Sequence, residues 1–477
     1  MMTYTLSNTI NKNRVFILQR SELEKRLDPN TYNPERLKII EALKSSKHKL
    51  KPLRFVANFK KNIVKKISEN KPYIGLENIE SNSGDYIATT EKETISSAIE
   101  FSKGQVLFPK LRPYLNKVHF AKFDGICSTE FHVLNSLETS NEYLANFLRT
   151  NLVVNQTKYL MSGNTLPRLQ TDDIENLLIP ILPKETEEFV NQIMRDAFAH
   201  KAQSETEAEN LLASIDDYLL DELGIKMPTE NCANDMSSYQ DFELNKQNPL
   251  VKNGRLFLTR FREIAGGRLD PFYQQRYFIE IIQSLNKSKY EVINFRHLIN
   301  NLENGVEIRN YITDGGMRYL RVTDLGKNEL NDNSMRYVET QKIPERIKLN
   351  NKCILISRSG SLGLINVFES KLADAILSSH IFKVELNTKL VDPSYIEAYL
   401  RSKIGQSEIF RNNNGGVIPE INQDALKSIH VIVPPLDKQQ KIASQISIIR
   451  HQAQSLQKEA IQKLLQAKVE IEKMILG

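Results

Sequence analysis

Residues 177–190 read LLIPILPKETEEFV, and residues 429–442 read IHVIVPPLDKQQKI. In both, a short apolar run ends at proline and a long charged stretch without proline follows. The apolar runs, Leu177–Leu182 and Ile429–Val433, have the length and β-branched content of a final strand. The stretches behind them, 184–224 and 436–477, contain neither Pro nor Gly until Gly224 and Gly477, which are natural helix stops. Asp437 with Gln440 has the spacing of a capping box. Two strand-to-helix junctions this alike, so far apart, imply that the chain is a repeat.

Working outward, the repeat covers nearly everything. Arg26-Leu27-Asp28-Pro29 recurs as Arg268-Leu269-Asp270-Pro271, and Ile39-Ile40 with Leu43 as Ile281-Ile282 with Leu285. Val106-Leu107-Phe108 returns as Ile354-Leu355-Ile356, and Tyr143 with Phe147-Leu148-Arg149 as Tyr395 with Tyr399-Leu400-Arg401. Gly163, Pro167, Leu169 and Asp172 return as Gly415, Pro419, Ile421 and Asp424. The order is kept while the offset drifts by small steps, as a duplication with short loop insertions requires. Each copy starts with an amphipathic helix pattern (Leu37, Ile40, Leu43; Phe278, Ile282, Leu285). Short strands such as Gly104–Phe108 and Cys353–Ser357 follow, then a second helix around Tyr143–Arg149 or Tyr395–Arg401. The predicted class is α/β (α+β), in two repeated globules.

The two long helices carry sustained apolar stripes. Ile442, Ile446, Ile449, Ala453, Leu456, Ala460, Leu464, Ala467, Ile471 and Met474 step by four and three. Val190, Met194, Ala197, Lys201, Ser204, Ala208, Leu211, Ile215 and Tyr218 keep that register with a polar break at the centre. Such a stripe is a coiled-coil seam. Segment 184–224 has net charge −8 and segment 436–477 has +3. Opposite charge favours pairing the two within one chain over self-pairing of the first, and the repeat implies that they run antiparallel. The alternative is two separate surface helices.

With a total net charge of +6, these segments leave +11 on the remainder, so a basic body favours a polyanion such as nucleic acid. The 477 residues are 40% hydrophobic and 26% charged, enough for packed cores. The longest apolar runs, such as Ile429–Leu436, fall far short of a membrane span. Cys127, Cys232 and Cys353 form no CxxC pair, which disfavours a zinc ribbon and suggests a reducing, cytoplasmic compartment. A search for catalysis finds no GxxxxGK[ST] loop, no HExxH, no GxSxG and no Asn/Asp-Pro-Pro-aromatic tetrapeptide. Gly360-Ser361-Leu362-Gly363 lacks the lysine of a phosphate loop and reads as a tight turn between strands. Asp172-Asp173 reads as a helix N-terminus, and Asp216-Asp217 as a solvated helix face.

What remains is a set of basic, hydrogen-bonding loops. Residues 44–66 hold nine Lys/Arg and no acid, either a solvated face or a phosphate-binding one. Lys110, Arg112 and Lys117 follow the Val106–Phe108 strand, and Asn164 and Arg168 precede the last strand of the first copy. The second copy offers Arg309, Arg318, Arg321, Arg358, Ser359, Ser361 and Asn414. Arginine forks suit guanine edges and phosphates, and Ser or Asn suits base edge or backbone. These twelve are the candidate DNA contacts. Arg112 and Arg358 are expected at similar places, just after matched strands. No catalytic, cofactor or metal residue is expected in this chain.

The arrangement resembles the specificity subunit of type I restriction–modification systems over residues from about 25 to 477. Ile432-Val433-Pro434-Pro435-Leu436 with Gln440 and Ile442 resembles that family's entry into its conserved helix. Gly415-Gly416-Val417-Ile418-Pro419 with Ile421 resembles its Gly-rich loop. Ile354–Gly363 resembles its hairpin. The first copy departs, with Pro183-Lys184 and Glu188 at the helix entry and Arg112-Pro113 at the turn. The resemblance implies target-recognition domains at 1–183 and 255–435, spacer helices at 184–225 and 436–477, and a linker at 226–254. It also implies a non-catalytic subunit that reads a bipartite site in double-stranded DNA. Its partners would be methyltransferase (M) and restriction nuclease (R) subunits, with S-adenosylmethionine, ATP and Mg belonging to those partners. Rival classes are a solitary methyltransferase or nuclease with drifted motifs, and a coiled-coil scaffold that does not bind DNA.

Overall fold

The computed structural model describes residues 28–60, 63–64, 71–88, 97–163, 167–228, 268–312, 315–326, 336–339, 347, 349, 352–368 and 375–477, with isolated positions before residue 28. Asn164, Cys232, Lys61, Lys65, Lys66 and most of the linker 226–254 lie outside the described residues. The chain divides into two units. One comprises Met1–Thr206 with Leu456–Gly477, the other Glu207–Ser455.

In the first unit the order is α1 (Pro34–Ser45), β1 (Lys49–Pro52), α2 (Leu53–Val56), β2 (Ala57–Lys60), β3 (Ile63–Val64), β4 (Tyr73–Ile74), β5 (Ala98–Phe101), β6 (Val106–Pro109), β7 (His119–Phe120), β8 (Gly125–Ser128) and β9 (Phe131–Ser136). Then come α3 (Asn141–Leu148), α4 (Asn151–Thr157), α5 (Thr171–Glu175), β10 (Leu178–Ile181) and the long α6 (Lys184–Leu223). The sheets are β2-β9-β6-β7, β3-β5-β8-β4 and the pair β1-β10.

The second unit contains α7 (Arg276–Leu285), β11 (Glu291–Asn294), β12 (Ile299–Asn304), β13 (Met317–Leu320), β14 (Arg336–Val338), β15 (Ile354–Ser357), β16 (Ile365–Val367), β17 (Ala375–Leu377) and β18 (Ile381–Leu386). After these come α8 (Pro393–Arg401), α9 (Lys403–Arg411), α10 (Gln423–Lys427), β19 (His430–Val433) and α11 (Leu436–Leu476). Its sheets are β12-β18-β15-β16, β14-β13-β17 and β11-β19. The order β12-β18-β15-β16 repeats β2-β9-β6-β7. Parallel β4–β8, with Tyr73 opposite Ile126, repeats as parallel β13–β17, with Tyr319 opposite Ile376. The two copies therefore share topology and register.

The matched sequence positions make matched contacts. Tyr143 Oη donates to Pro180 O at 2.8 Å, and Tyr395 Oη to Ile432 O at 2.7 Å. Both rings are fully buried, so each tyrosine binds the second helix to the last strand with its polar tip satisfied. Burial pushes both phenols well above their ordinary range. At the helix entries, Ser140 N donates to Glu187 Oε2 at 3.1 Å and Asp392 N to Gln439 Oε1 at 2.8 Å. Ser140 and Asp392 are the N-caps of α3 and α8, so one side chain of each long helix locks the start of the second helix.

This corrects two details of the junction. The buried polar residue is Gln439, which also donates to Leu390 O and Pro434 O, while Gln440 is exposed. Nor do Asp437 and Gln440 form a capping box. Pro434-Pro435 delivers the chain so that α11 starts at Leu436, and Asp437 already lies in its first turn.

The long helices are antiparallel and their seams are buried as the stripes require. In the first unit, Val190, Met194 and Ala197 share a core with Leu464, Ala467 and Ile471, and His200 Nε2 accepts from Lys463 Nζ at 2.7 Å. In the second, Leu219 and Leu223 share a core with Ile442 and Ile446, and Glu222 pairs with Lys438. The polar break in the first seam is a buried lysine surrounded by partly exposed carboxylates. Lys201 meets Glu205 at 2.8 Å, Glu80 at 3.0 Å and Asp85 at 3.2 Å.

Each globule is also capped by the other copy's helix. Lys403 N, at the start of α9, donates to Asp216 Oδ1 at 2.9 Å, and Asn151 N, at the start of α4, to Glu472 Oε1 at 2.5 Å. A carboxylate there satisfies an orphan amide and faces the positive helix end. Asp216 is thus a cap, not the solvated face its sequence suggests.

Candidate nucleic-acid interface

In each unit a β-hairpin turn and a loop from between the second and last helices are zipped together. In the first, Arg112 N donates to Pro167 O at 2.8 Å and Leu169 N to Lys110 O at 2.9 Å. In the second, Gly360 N donates to Pro419 O at 3.1 Å and Ile421 N to Arg358 O at 2.9 Å. Bridges Leu111–Arg168 and Ser359–Glu420 lie between them. The hairpins are β6–β7 and β15–β16, antiparallel in matching register. The Gly360–Gly363 stretch is the tight turn expected, with both glycines at positive φ, +79° and +83°.

This geometry resets the pairing of candidates. Lys110 N donates to Glu130 O as Arg358 N does to His380 O, at 2.8 and 2.9 Å. Lys110 is therefore the counterpart of Arg358, and Arg112 that of Gly360, contrary to the expected match of Arg112 with Arg358. Arg112 adopts the left-handed conformation (φ +48°) that glycine takes in the other copy. Its side chain is exposed and has no ion pair among the described residues.

Six candidates are committed to the protein itself. Lys110 Nζ donates to Thr129 O and Lys117 Nζ to Leu76 O, both at 2.8 Å, and burial lowers both amines below the ordinary lysine value. Arg168 pairs with Glu130 at 2.6 Å, and Arg309 with Glu307 at 2.7 Å at the surface. Arg321 clasps the fully buried Asp324 at 3.1 Å. Arg358 pairs with Glu420 and stacks over Phe382, 5.5 Å from the ring centre. Arg318 lies half-buried on β13 opposite Tyr337. Ser359, Ser361 and Asn414 join the second hairpin–loop pair. Ser361 and Asn414 are exposed, with backbone groups bonded to Ser357 Oγ and Glu420 O. Hence Arg358, Ser359, Ser361 and Asn414 are brought together, as are Lys110, Arg112 and Arg168. Lys117 lies beyond the first turn. Arg309, Arg318 and Arg321 are on or beside β13.

Sequence reasoning missed the residue that shapes the second loop. Asn413 Oδ1 accepts from Gly415 N at 2.9 Å and from Glu420 N at 2.8 Å, closing it at both ends. The run Asn412-Asn413-Asn414 was the available signal, but nothing in it distinguishes the half-buried organiser Asn413 from buried Asn412 and exposed Asn414. Among the described residues no cluster of metal-ligating side chains occurs and no helix is long and apolar enough to cross a membrane.

Two copies of one sheet-and-helix unit, each presenting a hairpin–loop edge, make this a duplicated protein. Residues 54–212 and 282–466 match the type I restriction modification DNA specificity domain, and the chain belongs to that family, with which a DNA-recognition role goes. It is similar to the type I restriction enzyme EcoDI specificity subunit of Escherichia coli, 28% identical over 130 residues. That alignment covers 27% of this chain and 29% of the relative's length. Among solved structures, it resembles the HsdS subunit from Thermoanaerobacter tengcongensis at 15% identity, with 90% of this chain and 96% of that one covered and a TM-score of 0.33. It also resembles the type I restriction–modification S subunit from M. genitalium at 11% identity, covering 90% and 95%, with a TM-score of 0.39.

Proposed function

We propose that this chain is a non-catalytic specificity subunit that reads a bipartite site in double-stranded DNA, one half-site per globule, and directs methyltransferase and nuclease partners to it. The observation that carries this reading is the duplicated hairpin–loop edge: same backbone zipper, different side chains. The globules at 1–183 and 255–435 act as target-recognition domains, with the helices 184–225 and 436–477 as spacers and 226–254 as linker. S-adenosylmethionine, ATP and Mg belong to the partners, and the assembly works in the cytoplasm. An outward stripe on α11, Ile461, Leu465 and Val469, is exposed at steps of four, and such a stripe suits docking of a methyltransferase subunit.

The test uses the complex assembled with methyltransferase subunits and a panel of half-site mutants. Arg112→Ala lowers affinity by about 1–3 kcal/mol and relaxes one half-site if Arg112 reads a base. If it holds a phosphate, binding falls evenly and the salt slope drops by about one. Asn414→Ala acts on the other half-site. A change in either globule that alters both half-sites alike rejects the division of labour. Methylation, cleavage or ATP hydrolysis by the purified chain alone rejects the non-catalytic role.

A further inference from the structure

The loop of the second globule ends in two apolar side chains that no described residue covers. Val417 is fully exposed and Ile418 is 62% exposed, the former the most exposed large hydrophobic side chain described. The loop beneath them is held tightly. Asn413 Oδ1 clamps Gly415 N and Glu420 N, Asn414 N donates to Glu420 O at 2.7 Å, and Pro419 O receives Gly360 N. A Cβ on Gly415 would lie 1.9 Å from Ile418 O, so this turn closes only on glycine, whereas a Cβ on Gly416 would meet nothing. The result is a braced, uncharged tip, narrow at Gly416 and bulky at Val417-Ile418, flanked by the exposed Ser361 and Asn414.

Such a tip contributes nothing to the core, since serine at either position would leave every described core cluster intact. It is too small for a protein interface, which needs about 800 Å² per partner. It does have the form of a minor-groove wedge, where apolar side chains enter a base step and partly unstack it. A β-branched valine has little rotamer freedom to lose on insertion. The glycine beside it lets backbone approach the duplex, and the flanking Ser and Asn offer hydrogen bonds to groove edges. We propose that Val417 and Ile418 form a wedge that opens one base step in the half-site read by the second globule. This rests on the DNA-reading function proposed above. The first globule's sequence has Thr165 and Leu166 where the second has Val417 and Ile418, so only one of the matching side chains is apolar; both lie outside the described residues.

The experiment uses the complex with methyltransferase subunits and duplexes carrying its methylation site. 2-Aminopurine is placed in turn at each position of that half-site except the methylated adenine. Binding of the native complex raises the fluorescence at one step. The double variant Val417→Ser, Ile418→Ser abolishes that rise and binds about tenfold more weakly, while its melting temperature and methylated sequence stay unchanged. Ile418→Met, still apolar, keeps the rise. An unchanged rise in the double-serine variant overturns the wedge, as does tight binding with no bright position. Loss of methyltransferase subunits from the double-serine variant also overturns it, because the tip would then be a protein contact. If the native complex binds no DNA selectively, the DNA-reading function itself fails, an outcome separate from the others.

Discussion

The two hairpin–loop edges have the same backbone and opposite wiring. In the first, the acid is on the strand side and the base on the loop: Glu130 with Arg168. In the second the base is on the strand side and the acid on the loop: Arg358 with Glu420. The zipper that holds hairpin to loop is made of main-chain bonds in both, so exchanging the charges leaves it untouched. A half-exposed ion pair is worth at most about 1 kcal/mol, too little to fix a fold. These charges are free to vary with what the edge must recognise, and the frame is not.

A third matched position separates the copies more sharply. His119 on β7 and Asn366 on β16 lie opposite Leu107 and Leu355, and both are buried. His119 Nδ1 donates to Gly84 O at 2.8 Å, and its Nε2 has no partner among the described residues. Burial, reinforced by the nearby Arg149 charge, lowers its pKa to about 4. An unfolded histidine titrates near 6.5. Between those values the unfolded chain takes up a proton that the folded one refuses, so stability is complete above pH 6.5 and falls as the pH drops toward 4. The loss reaches about 3 kcal/mol, and asparagine incurs none of it. Hydrogen exchange at pH 4.5 should therefore open the first unit before the second, and His119→Asn should remove the difference. Equal opening in both would break the comparison.

The buried tyrosines should behave alike where the edges do not. Tyr143→Phe and Tyr395→Phe each strand a buried carbonyl and should cost about 1–2 kcal/mol in denaturant unfolding of their own unit. Markedly unequal costs would show that the repeat is topological only. The smallest effect is expected at the turn. Arg112→Gly gives the first hairpin the residue found at Gly360 and should stabilise it by up to about 1 kcal/mol, because left-handed backbone no longer carries a side chain. The same change should weaken DNA binding if Arg112 reaches the duplex. Stability gained and affinity lost in one variant would assign that residue to recognition.

The frame was legible in the sequence because burial enforces it. Tyr143 and Tyr395, the strand-ending prolines and the seam residues cannot change without opening a core, so their spacing survives and betrays the repeat. The edge was less legible for the opposite reason. Lys110 and Arg358 correspond, but Lys110 bonds a carbonyl while Arg358 pairs with an acid, and the eye matches Arg112 with Arg358 instead. Gln440 looked like the junction's glutamine, yet the start of α11 at Leu436 turns Gln439 inward. Asp216 and Glu472 act as caps on partners far away in the chain, and no local pattern announces that.

The membership of the first unit has a consequence in time. Its core holds Val190, Met194 and Ala197 together with Leu464, Ala467 and Ile471, so part of it is made some 250 residues after Thr206. At roughly 5–20 residues per second, synthesis spends about 10–50 s on that interval. Throughout it the first globule carries an unfinished apolar groove. One of its caps, Glu472 on Asn151, lies later in the chain than any residue of the second unit. Of the two units, the one that begins earlier in the sequence is thus completed after the other, and translation speed becomes one of the quantities that decide whether it folds.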